Sequence, residues 1–234
     1  MLDLIGVWGD RPDSLRSCVQ RLQASWRSMP PDPGAYGPWS VRDRGAAGDF
    51  SPLTRVDIDD ADAVERAIAA ETEWVHKGPR TAPGVYLEFD RESLVEKVGD
   101  GSREWAKEAQ YKGRAGFFNP HRAHNRVTFT INSATEPAVV RDYFTALVRA
   151  WEPDHLAVST FELSKAQGRR TPQMDIGWLT YIRDTIPLDP AVLDSDIAMS
   201  QADGGRYLTL PGTPADPDLD RIMAVRRALG YFSG

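Results

Sequence analysis

The chain holds a single cysteine, Cys18, among 234 residues. A lone thiol excludes an intramolecular disulfide and a zinc site built from cysteines. Histidine is scarce, with four copies. Cations do not accumulate either: 28 Lys and Arg stand against 34 Asp and Glu, leaving a net charge of −6. Nucleic-acid binding needs clustered cations that displace counterions, so no direct nucleic-acid partner is expected. No apolar run approaches the roughly 20 residues that cross a bilayer. Met1-Leu2-Asp3-Leu4-Ile5 lacks the basic start of a secretory signal, so the expected location is the cytoplasm, with no membrane partner. Gly-x-Ser-x-Gly and the Walker and dinucleotide glycine fingerprints are missing. The chain reads as a protein that binds rather than one that reacts: not an enzyme, and without a cofactor.

What is present is ordinary globular material, 41% hydrophobic and 26% charged. The length suits one large domain, and the expectation is a single domain over residues 1–234. Leu2 to Trp8 reads as a strand. Gly9-Asp10-Arg11-Pro12 is a turn feeding a helix, with Asp10 or Arg11 as cap, and Leu15, Cys18, Val19, Leu22, Trp26 and Met29 form its apolar stripe. Asp59 or Asp60 caps a second helix carrying Val64, Ala67 and Ile68. Val85 to Phe89 is a strand. Residues 90–124 read as a less regular surface excursion, with weak helical pieces around Leu94 and Trp105 on either side of Gly99-Asp100-Gly101-Ser102.

Further on the pattern sharpens. Arg126 to Asn132 alternates as a half-buried strand does. Thr135 caps a helix with Pro137 near its start and Val140, Phe144, Leu147, Val148 and Trp151 on its buried side, and Pro153 ends it. Strands follow over His155–Phe161 and Met174–Ile182. Another pair, near Ile197 and Tyr207–Leu210, is joined by Asp203-Gly204-Gly205. Leu219, Ile222, Met223, Val225 and Leu229 give a last helix that Gly230 closes. The fold class is α+β, a mixed, mainly antiparallel sheet packed with about four helices.

Trp8-Gly9 with the helix Ser14 to Leu22, the block Tyr143 to Asp154 with its Trp151-Glu152-Pro153-Asp154 ending, the segment Ile176-Gly177-Trp178-Leu179-Thr180-Tyr181, and the closing Arg226 to Gly230 together resemble the immunity protein 52 family. That resemblance implies an immunity protein. It would bind and neutralise a cognate bacterial toxin, a restriction-endonuclease-like nuclease domain, and so protect the producing cell. The family-signature residues Trp8, Trp151, Pro153, Gly177, Trp178 and Tyr181 are expected to be structural.

For a toxin-binding site the sequence offers Asp184, Asp189, Asp194 and Asp196, an acidic run that could face the basic groove of a nuclease. Two further acidic clusters, Asp57 to Asp62 and Asp216 to Asp220, sit at helix starts, where capping is the plainer explanation. Trp39, beside Gly37-Pro38, is a candidate exposed anchor. His121 and His124 lie three apart in a turn-like segment. A surface loop that meets the toxin suits them better than a metal site, which would need further ligands. Glu104 and Glu108 read as a solvated helix face. Two other classes of function stay open. One is a small enzyme whose pocket gathers His121, His124, Asp154 and His155. The other is a scaffold that self-associates through the Gly177–Tyr181 strand.

Overall fold

A computed structural model describes residues 1–30, 38–42, 53–76, 84–96, 103–118, 125–168 and 173–231, with backbone alone over 92–96 and 103–108. The chain opens with β1 (Leu2–Trp8), α1 (Leu15–Ser28), β2 (Ser40–Arg42), β3 (Leu53–Arg55) and α2 (Ala61–His76). Then come β4 (Val85–Glu96), β5 (Arg103–Ala115), β6 (Asn125–Ile131) and α3 (Pro137–Trp151). The remainder is β7 (His155–Ser159), α4 (Phe161–Ala166), β8 (Leu179–Arg183), β9 (Ala198–Ala202), β10 (Gly205–Thr209) and α5 (Leu219–Ala228). The strands form one ten-stranded sheet in the order β3-β2-β4-β5-β6-β1-β7-β8-β10-β9. Each described pairing is antiparallel, and the class is α+β as expected.

Alternation decides which face of the sheet is covered. Leu2, Leu4 and Trp8 of β1, Val127, Phe129 and Ile131 of β6, and Leu156 and Val158 of β7 are buried in one core. Helices α1, α2 and α3 supply the other side of that core through Val19, Leu22, Trp26, Ile68, Phe144 and Leu147. The predicted α3 stripe of Val140, Phe144, Leu147, Val148 and Trp151 is buried in full. Large aromatics dominate the centre. Trp8 stacks on Trp151 at 5.5 Å between ring centroids, and Trp26 meets Phe89 edge-on at 5.2 Å. The Tyr111 hydroxyl accepts from the Trp151 indole and shares a 3.0 Å hydrogen bond with Ser25. Burial raises the pKa of this phenol above its ordinary value, an effect its two hydrogen bonds only partly offset.

A second, smaller core packs Ile182 of β8 and Leu208 of β10 against Leu163 of α4 and Ile222 and Val225 of α5. The face of β1 that carries Asp3, Ile5 and Val7, together with Lys112, Arg114, Arg126 and Thr128 beside it, lines open grooves instead.

Several expectations change here. The first helix is capped by Ser14, whose hydroxyl accepts from the Ser17 N–H, and not by Asp10 or Arg11. Asp60 does cap α2, accepting from the N–H groups of Asp62 and Ala63. Glu136 rather than Thr135 occupies the cap of α3. The strand expected over His155–Phe161 ends at Ser159, and Thr160 caps α4 instead. The largest change concerns the stretch read as an excursion with two weak helices. Its described part is the long hairpin β4–β5, paired from Val85↔Ala115 to Glu96↔Arg103 across a register shift at Arg91/Glu92. Glu104 and Glu108 therefore lie on a strand, not on a helix. Ala, Glu, Lys and Arg there favour a helix locally, and cross-strand pairing overrides that weak preference.

Candidate interaction surface

Two sets of polar residues stand out, and they differ in how well their charges are matched. The first surrounds the end of α3. After Trp151 the chain turns at Glu152, whose φ of 47° and ψ of 54° are left-handed. Its N–H still reaches the Val148 carbonyl at 2.8 Å. The last carbonyls of a helix lack partners within it. Here Arg21 donates to Ala150 O at 2.8 Å, Arg11 donates to Trp151 O at 2.8 Å, and Arg183 donates to Glu152 O. Three cations at a helix C-terminus also suit its dipole. Asp13, nearly inaccessible, pairs with Arg11 at 2.8 Å and with Arg21 at 3.3 Å. Asp154 accepts from the Gly9 N–H at 2.8 Å and pairs with Arg183 at 3.1 Å. The Trp151-Glu152-Pro153-Asp154 block is thus a joint that ties α3 to α1, β1 and β8.

Gly177 belongs to the same scaffold. A Cβ at this position would lie 1.6 Å from the carbonyl oxygen of Val158, so no other residue fits. Trp178 is buried, with Arg141 4.4 Å above its ring, and Tyr181 is buried with its hydroxyl donating to Asp203 O at 2.8 Å. Trp8 and Trp151 are core residues, and Pro153 is buried beside them.

The second set gathers the acidic run around β9, the last strand of the sheet. From Asp184 to Gly205 the sequence carries five aspartates and no lysine or arginine. Asp184 follows β8 and accepts two hydrogen bonds from the Gln201 amide of β9, at 2.9 and 2.8 Å. Asp194 and Asp196 precede β9 and share one cation, Arg221 of α5, at 3.2 and 2.8 Å. These hydrogen bonds raise the Arg221 pKa further above its ordinary value. Asp203 follows β9 in the hairpin turn, pairs with Arg149 at 3.2 Å and accepts from the Tyr207 hydroxyl at 2.7 Å. Burial, followed by the Asp203 hydrogen bond, raises the Tyr207 pKa. The side chains of Asp184, Asp194 and Asp196 stay 47%, 44% and 46% exposed. Asp189 caps the 3-10 turn at Pro190–Val192, and its N–H reaches the end of α5, so its part is local.

The remaining candidates separate from this cluster. Trp39 is not an exposed anchor. It is 8% accessible and lies in the aromatic core, 5.7 Å from Trp26 and 6.2 Å from Phe129 by ring centroid. A short strand preceded by Gly-Pro looks peripheral in sequence, but pairing of β2 with β4 turns this ring inward. His121 and His124 lie outside the described residues. His155 is buried on β7, and Asp154 serves the joint described above. Among the described residues no group of three His, Cys, Asp or Glu could hold a metal ion. Strand β8 pairs with β7 on one side and β10 on the other, so it offers no free edge for self-association.

The opposite face of the sheet, open between α2 and α4, was not foreseen. One groove of about 440 Å³ lies among Trp74, Tyr86, Lys112, Arg114, Arg126 and Thr128. Another, of about 510 Å³, lies among Asp3, Ile5, Val7, Phe161, Lys165 and Asp175, and Arg126 borders both. The period-2 pattern of β1 and β6 hinted at a polar face, but nothing local indicated that, among the described residues, helices only border it.

These features define an α+β protein with a broad antiparallel sheet and helices on both faces. Its fold is similar to that of the Pseudomonas aeruginosa T6SS protein PA0821: 98% of this chain and 72% of that one are covered at 13% identity, with a TM-score of 0.50. At this identity the likeness is one of fold. No family model and no curated protein matches the chain, so the resemblance to immunity protein 52 rests on its residues alone. No described helix is long and apolar enough to cross a membrane.

Proposed function

We propose that this chain is an immunity protein. It binds a cognate bacterial toxin, a nuclease of the restriction-endonuclease-like kind, through the acidic end of its sheet. One observation carries the reading: Asp184, Asp194, Asp196 and Asp203, all in the run between β8 and β10, lie around β9 and meet fewer cations (Arg149, Arg206 and Arg221) than there are carboxylates. A nuclease groove shaped for a phosphate backbone is basic, and such a surface would steer it to the right partner. The fold shared with a T6SS protein supports a setting in competition between bacteria. The matched charges at the α3 joint, with Asp13 buried among them, support a rigid scaffold for that surface. On this reading the protein acts in the cytoplasm and turns nothing over.

Co-expression with the toxin encoded by the adjacent gene tests this. Cells should survive with the chain and die without it, and a complex should co-elute in gel filtration. Death in its presence, with no complex, would falsify the proposal.

A further inference from the structure

Strand β9 is the last strand of the sheet, and among the described residues nothing pairs with its outer edge. All five of its residues, Ala198 to Ala202, are exposed. Natural edges are protected by charge, proline, a bulge or a covering element. Ala198-Met199-Ser200-Gln201-Ala202 has no charge and no proline, and its register with β10 runs without a shift from Ala198↔Thr209 to Ala202↔Gly205.

The hairpin settles which backbone groups face outward. Asp203 and Gly204 have φ of 51° and 73°, the positive pair of a two-residue type I′ turn. The closing pair Ala202↔Gly205 exchanges both ladder bonds, and so does every second pair after it. Consistent with that, Leu210 donates to Trp178 O on the β8 side, which leaves Gly205, Tyr207 and Thr209 to bond β9. The N–H and C=O groups of Met199 and Gln201 therefore point away from the sheet. They form a short row of donors and acceptors on an open edge.

We infer that β9 receives an extended strand of the partner protein, which adds to the sheet as an eleventh strand beside Met199 and Gln201. This deepens the toxin-binding reading and rests on it. Charge selects the occupant. Asp196 flanks the edge near one end, and Asp184, whose N–H reaches Gly204 O at 3.1 Å, and Asp203 flank it near the other, so the added strand carries Lys or Arg on both flanks. A second copy of this chain is the wrong occupant. Antiparallel pairing about Ser200 would bring Asp196 of each copy toward Asp203 of the other, setting like charges together.

The test uses proline at an outward position. Met199→Pro removes an N–H that bonds nothing within the sheet, so the hairpin persists. Ser200→Pro removes a ladder bond to β10 and serves as the structural control. The probe is the purified toxin from the co-expression test. Met199→Pro should unfold at the wild-type temperature and bind about tenfold or more weakly. In the wild-type complex, the Met199 and Gln201 amides should become protected from hydrogen exchange. A complex in which both amides exchange as in the free chain, and which Met199→Pro leaves at full affinity, overturns the edge inference and spares the toxin-binding reading. Absence of any complex overturns both. A wild-type dimer in light scattering that Met199→Pro dissociates assigns the edge to a second copy and overturns the occupant named here.

Discussion

The α3 joint and the β9 edge handle charge in opposite ways. At the α3 joint every carboxylate meets a cation or a backbone N–H: Asp13 has Arg11 and Arg21, and Asp154 has Gly9 and Arg183. At the β9 end a single arginine serves both Asp194 and Asp196, and half of each side chain stays in water. Matched, buried charge fixes geometry, because removing either partner strands the other in a poor dielectric. Surplus, exposed charge contributes little to stability and leaves a field that a partner can use. The comparison therefore separates residues that hold the protein together from residues available to another molecule, although both sets are rich in aspartate.

Substitutions can break that contrast. The largest effect is expected at Gly177→Ala on the scaffold side. The added methyl collides with the Val158 backbone, which a rotamer change cannot relieve. A loss of about 4 kcal/mol or more, or failure to fold, should appear in denaturant titration. Asp13→Ala comes next. It leaves Arg11 and Arg21 without their shared carboxylate, and about 2 kcal/mol should be lost in the same assay.

Alkaline pH probes the aromatic core. Tyr111 has a folded pKa raised by burial above its unfolded value of about 10. Below about pH 10 both states are protonated and its stabilising contribution is complete. As pH rises further the unfolded chain ionises first, so stability falls towards the higher folded pKa. Tyr207 acts in the same direction, through burial and then Asp203. Tyr111→Phe should flatten the fall of melting temperature above about pH 10 compared with the wild type. The smallest stability effect is expected at the acidic end. Asp184→Asn with Asp196→Asn should change folding stability by about 0.5 kcal/mol or less. In stopped-flow mixing with the toxin, the same pair should slow association about tenfold at low salt and much less at high salt. A large stability loss there would erase the distinction between the joint and the edge.

Much of the fold was legible where information is local. The α3 stripe, the stop at Pro153 and the Asp203-Gly204 hairpin follow from helical period, proline geometry and a turn that needs positive φ. The β4–β5 hairpin was not legible, because its residues suit a helix and only cross-strand pairing makes them extended. Trp39 misled for a related reason: the three-residue β2 gives too little alternation to show which side is buried. For the proposed site, the aspartates were visible as a run in the sequence. Their arrangement around an open edge was not.

The sequence by itself determined where α1, α2, α3 and α5 run and the face each buries, since neighbouring residues carry those signals, while two caps, α4 and the β4–β5 hairpin escaped it. Only the tertiary structure decided strand order, and with it the two outcomes that matter for function. It enclosed β8 and its Gly177-Trp178 lead-in, which turns the most distinctive motif into scaffold. It also left β9 outermost, with Asp184, Asp196 and Asp203 beside it. Those outcomes depend on hydrogen bonds between residues distant in the chain, and no local pattern records which strand will be last.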